Sequence, residues 1–177
     1  LCINGAGIQY KWLKSITEAK SYSQMNSEAD KINIGSEGLI LYPFGNGSER
    51  MFNNQDIGTC FKNLNLNIHT KAHLYRAALE GIAFSFMYGM EILINDNFDP
   101  KLLRVGNDNL FRSDLFSNTI STLIDKEIEM FDSTGAYGAA RAVGYDSNNF
   151  NSFSEKITKN DYVKSFEPQN QKAAYLD

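Results

Sequence analysis

Cysteine is nearly missing from this 177-residue sequence: Cys2 and Cys60 are the only two. One pair cannot make the disulfide framework of a small secreted domain, so a reducing setting is expected. Histidine is as scarce, at two residues, which leaves few ways to assemble a Ser–His–acid or Cys–His relay. Basic residues number 17 against 21 acidic ones, giving a formal net charge of −4. They are spread along the chain, so the electrostatic footprint of a nucleic-acid binder is lacking. The longest apolar stretch, Gly81 to Ile94, is short for a bilayer and carries Glu91. Neither a basic segment nor an apolar one of signal-peptide type opens the sequence. The expectation is a cytoplasmic protein with no nucleic-acid or membrane partner. The sequence starts at Leu1 rather than Met and runs at once into Asn4-Gly5-Ala6-Gly7, which reads as a piece of a longer polypeptide.

What is present is enough for a core. Hydrophobic residues make up 42% and aromatics 12%, in a length that suits about one domain. After the Gly-rich turn at Asn4–Gly7, a mixed helical pattern covers Gln9–Thr17, and the polar stretch Ser21–Asn33 reads as a short surface helix. Leu39-Ile40-Leu41-Tyr42 before Pro43 reads as a buried strand. Phe44 to Asn67 shows no period and is expected to be a long loop, a length that marks either function or a missed element. Residues 70–95 give the clearest pattern. Tyr75, Leu79, Ile82, Phe86, Met90 and Leu93 recur at helical steps, Thr70 can cap the start, and Gly81 and Gly89 point to close packing against a neighbour. Beyond them come a strand at Leu102–Val105, a loop at Gly106–Asn109, a helix at Ser113–Ile124, a strand at Glu127–Phe131 and a small-residue helix at Thr134–Val143. That alternation predicts an α/β layer with parallel pairing. From residue 146 to 177 the chain is polar, and Asp161–Lys164 is expected to be helical.

Two glycine-bearing bends separate a strand from a helix: Gly106-Asn107-Asp108-Asn109 and Gly135-Ala136-Tyr137-Gly138. Helix N-termini offer unpaired N–H groups, and glycine admits a ligand to the backbone. Two such bends on neighbouring strands make one nucleotide cleft; the bland alternative is turn glycine with tight helix packing by Ala139, Ala140 and Ala142. Neither bend fits a Walker loop or a dinucleotide fingerprint. His69 and His73 have the spacing of a zinc pair but lack a third ligand, so helix capping or a surface role is favoured and no metal site is expected. Arg76 and Glu80, four apart, can pair along the helix. Glu49 and Arg50 are another adjacent pair, read as bracing or ligand-contacting.

Taken in order, Leu41-Tyr42-Pro43-Phe44, Gly47-Ser48-Glu49-Arg50, the run from His69 to Gly81, Arg104-Val105-Gly106, Ser113 and Gly135–Ala140 resemble the second half of the FGGY carbohydrate kinases, and within them most closely the xylulokinases. The resemblance covers residues 1–145. It implies a partial ribonuclease H-like, actin-like ATPase domain of α/β class, with a mixed sheet and flanking helices. It further implies phosphoryl transfer from MgATP to a sugar hydroxyl, D-xylulose being the substrate of the nearest branch. The implied nucleotide contacts are Gly106, Asn107, Asn109, Gly135, Ala136 and Gly138. The family's catalytic Asp lies upstream of the matched region and is assigned to no residue here, so this chain alone is expected to be inactive. The expected partners are ATP or ADP with Mg²⁺, a sugar carried on an N-terminal domain outside these residues, and a second copy of the chain. Where the family has consecutive glycines this sequence has Gly106-Asn107-Asp108. The family's Gln and Ala-Asp stand here as Asn118 and Ser121-Thr122. A non-catalytic nucleotide-binding or scaffold domain of the same fold is the alternative.

Overall fold

A computed structural model describes residues 4–47, 52, 55–143, 145 and 150–176. The early chain forms two helices, α1 (Ala6–Ile16) and α2 (Tyr22–Ala29), and one hairpin, β1 (Ile40–Phe44) with β2 (Gly58–Lys62). The hairpin is antiparallel, in register from Ile40 opposite Lys62 to Phe44 opposite Gly58. Strand β2 corrects the expectation of a loop from Phe44 to Asn67. Its residues are half-buried or exposed, so no clean alternation marks it in the sequence. Pro43 is tolerated inside β1 because each strand of a two-stranded ribbon has a free edge. Glu49 and Arg50 lie outside the described residues.

Helix α3 (Lys71–Asn95) is the axis of the molecule. Its 25 residues span about 38 Å at 1.5 Å per residue. It is long and apolar enough to cross a membrane by composition, beyond what the Gly81–Ile94 run suggests, yet it packs as a core helix against β1, α2 and α4. Tyr75, Leu79 and Ile82 are fully buried, whereas Leu93, near the far end, is 40% exposed. Gly81 lies against β1: a Cβ there would stand 2.0 Å from the Leu41 carbonyl oxygen, so only glycine allows this approach.

The second layer is a three-stranded sheet in the order β3 (Leu102–Gly106), β4 (Glu127–Phe131), β5 (Tyr162–Phe166). Strands β3 and β4 run parallel, joined through α4 (Asp114–Ile124), and β5 lies antiparallel to β4. Helix α4 starts where the Ser113 hydroxyl accepts the Phe116 N–H and buries Phe116, Ile120 and Leu123 between α3 and the sheet. Each such side chain contributes about 1.5–3 kcal/mol on removal from water. Helices α5 (Gly135–Ala142), α6 (Phe150–Asp161) and α7 (Lys172–Leu176) complete the chain. The helix expected at Asp161–Lys164 is not found: α6 ends at Asp161 and β5 begins at Tyr162, where Phe166 joins the core. Tertiary pairing with β4 outweighs the local polar composition there.

Candidate functional site

The parallel register puts Gly106 opposite Phe131, so both glycine bends leave the sheet at the same end. They touch. The Asn107 N–H donates to the Phe131 carbonyl oxygen at 2.8 Å, and a Cβ on Gly106 would stand 2.4 Å from the Ser133 carbonyl oxygen. Carboxyl ends of adjacent parallel strands are where open α/β sheets hold ligands.

The two bends differ in what they offer. At the first, Gly106 is required by the protein's own backbone, and the Asn107 amide is already spent on Phe131. Asn109 is exposed and holds a left-handed φ of 48°, and Asp108 is half-buried. At the second, Thr134 caps α5 by accepting the Tyr137 N–H at 3.2 Å, and the Gly138 N–H bonds the Thr134 carbonyl inside the helix. Gly135 and Ala136, in the first helical turn, precede any intrahelical acceptor and point their amides outward. Nothing lies within 4 Å of where a Cβ on Gly135 or Gly138 would sit. Ala139, Ala140 and Ala142 are exposed among the described residues. Helix α5 is tied down by a two-armed ion pair between Arg141 and Asp161, with the guanidinium stacked 4.0 Å from the Tyr137 ring centroid. That guanidinium holds the Asp161 carboxyl below its ordinary value.

A cavity of about 780 Å³ opens beside the first bend. Asp108 and Asn109 of the bend and Ala6 and Gly7 at the head of α1 are among its lining residues. Phe86, Met90, Phe116 and Ile120 add apolar lining. Gly106, Asn107, Gly135, Ala136 and Gly138 do not line it. The start of α1 is the part that the bends alone did not point to. Its signal was present in Asn4-Gly5-Ala6-Gly7, a third glycine-opened helix start, with Gly5 at φ 82°.

The histidine pair is settled by hydrogen bonds. His69 Nδ1 accepts the Asn65 N–H and His73 Nδ1 accepts the Thr70 N–H. A neutral imidazole has one N–H, which these bonds put on Nε2 in both rings, leaving no lone pair there for a metal. His73 is thus the capping residue expected in place of a zinc ligand. Among the described residues no group of three His, Cys, Asp or Glu could hold a metal ion. Arg76 and Glu80 do pair, at 2.6 Å, and are buried rather than solvated. Glu80 also accepts from the Gly35 N–H and the Ser36 hydroxyl.

Residues 3–146 match the FGGY family of carbohydrate kinases, C-terminal domain. The chain belongs to that family. A gluconokinase of Bacillus licheniformis is 25% identical over 138 residues, covering 71% of this chain and 26% of the relative. Among solved structures, the glycerol kinase of Plasmodium falciparum with ADP superposes with a TM-score of 0.80 at 20% identity, over 98% of this chain and 35% of the other. The xylulose kinase of Rhodospirillum rubrum gives 0.77 at 21% identity, over 97% and 36%. The fold is the actin-like ATPase fold of FGGY C-terminal domains. The chain spans about a quarter of the length of the curated relative and about a third of the solved ones.

Proposed function

We propose that this chain is the nucleotide-holding part of an ATP-dependent carbohydrate kinase. The observation that carries the reading is the open, small-residue start of α5 beside the Gly106 bend. Its first-turn amides and partial positive charge suit phosphate oxygens, and exposed Gly135, Ala136 and Gly138 let a nucleotide lie against the backbone. Gly106 holds the bend in place, Asn107 pins it to β4, and Asn109 and the head of α1 border the space beside it. The transferred phosphoryl group goes to a sugar hydroxyl whose proton passes to a base outside these residues, as the family resemblance implies. Mg²⁺ comes with the nucleotide phosphates, since the described residues offer no ligand set of their own. A location in the cytoplasm supplies the ATP.

The sugar is the finer part of the proposal. Xylulose is the first choice on the motif resemblance, with gluconate and glycerol, the substrates named for similar kinases, as competitors. A coupled ADP-release assay on the longer protein containing this chain should show turnover with one of the three. The 177-residue chain alone should show none above a heat-killed control. Turnover by the chain alone would overturn the division of labour. A non-catalytic domain is the second reading, favoured by Asn107 and Asp108 standing where the family has glycines. Absence of turnover with every sugar would establish it, and ADP binding would then separate a nucleotide-binding domain from a scaffold.

A further inference from the structure

Beside α4 is a second cavity, of about 1060 Å³, bounded by α2, the Ile32–Ile34 segment, the start of α4 and the Gln169–Tyr175 stretch. It differs from the cavity beside the bend in being polar. Asn26, Asn118, Gln169 and Gln171 bring amides to it, and Arg76 and Arg112 bring guanidiniums. Arg76 decides its chemistry. The residue is only 4% exposed. Its Nε donates to Glu80 and its Nη2 to the Tyr175 hydroxyl at 3.2 Å. The Nη face of a guanidinium held in place by such bonds presents the fork geometry that suits an oxyanion. Asp114 on the same wall is occupied by Lys164, at 2.6 Å, which leaves Asp30 as an acceptor for hydroxyl groups.

We propose that this cavity binds a small polyhydroxylated anion, a sugar phosphate or sugar acid, with its anionic group on Arg76 and Arg112 and its hydroxyls on the amides and Asp30. Tyr175 closes the cavity from α7, its hydroxyl also within 3.1 Å of Thr119. The cavity is connected to the bend. Arg112 Nε donates to the Asn107 carbonyl oxygen at 3.3 Å, and Asn107 is pinned to β4 through its own N–H. A ligand that draws Arg112 into the cavity therefore changes the bend that the proposed nucleotide reading uses, which makes the site a regulatory one. The binding itself does not depend on that reading.

Calorimetric titration of the 177-residue chain with glucose 6-phosphate, gluconate, glucose and inorganic phosphate tests this. At least one of the two anionic sugars should bind saturably, and at least tenfold more tightly than glucose or phosphate. Whichever of the two binds identifies the anionic group. Arg112→Ala, an exposed position, and Asn118→Leu should each weaken that binding at least tenfold with an unchanged melting temperature. Gly138→Val should leave it intact, which separates this site from the nucleotide surface. Failure of both sugars to bind, equal binding of inorganic phosphate, or indifference to both substitutions would overturn the proposal.

Discussion

Gly106 ends the parallel strand β3 and Gly138 lies in the first turn of the helix that follows β4, and their surroundings are opposite. A side chain at Gly106 would collide with the Ser133 carbonyl; one at Gly138 would meet nothing within 4 Å. The first glycine serves the protein's own packing, as does Gly81 against Leu41. The second leaves surface open beside a helix start. The lesson is that glycine between strand and helix indicates ligand binding only where the space it leaves is not filled by the protein.

Substitution can break that contrast, and the largest effect belongs to Gly81. Gly81→Ala puts a methyl group into the backbone of β1, and overpacking of that kind should cost about 3 kcal/mol or more, read as a lower midpoint in urea unfolding. Gly106→Ala should cost about 1–3 kcal/mol, because Ser133 lies in the irregular connection between β4 and α5, which can give way a little. Gly138→Ala should have the opposite sign. It adds helix propensity in open space and should stabilise by about 0.5–1 kcal/mol. If all three alanines destabilise alike, the distinction between closed and open glycines is wrong.

The smallest effect sharpens how α5 is held. Asp161 is kept below its ordinary value by Arg141, so its contribution is fully present above pH 3.8 and is lost as pH falls toward the lowered value. Amide exchange in α5 should therefore quicken under acid before exchange in α3 does. Asp161→Asn should remove that acid step and leave α5 exchanging faster at neutral pH. An α5 as protected in the variant as in the parent would mean that other contacts hold it.

Much of the architecture was legible in the sequence because burial imposed a period. Tyr75, Leu79 and Ile82 mark the core face of α3, and the succession from Leu102 to Val143 gives the parallel unit. Strand β2 escaped because none of its residues is buried, and β5 because its place depends on pairing with β4, a contact that local composition does not encode. At the site, the bends and the cap at Thr134 could be read from glycine and hydroxyl positions. Other features rest on contacts between residues far apart in sequence, and no spacing rule reports them: the engagement of the Asn107 amide by Phe131, the head of α1 sharing a cavity lining with Asn109, and Arg76 in the wall of a cavity closed by Tyr175.

The central claim, that the open start of α5 holds a nucleotide, is tested most directly by melting the chain with and without ADP and Mg²⁺, alongside Gly138→Val. Ligand at about 100 times its Kd adds roughly 2.7 kcal/mol, enough to raise the melting temperature by several degrees. The account predicts that rise for the parent chain and its loss in Gly138→Val, with both folded to the same extent without ligand. An equal rise in the two proteins, or none in the parent at millimolar ADP, would contradict it.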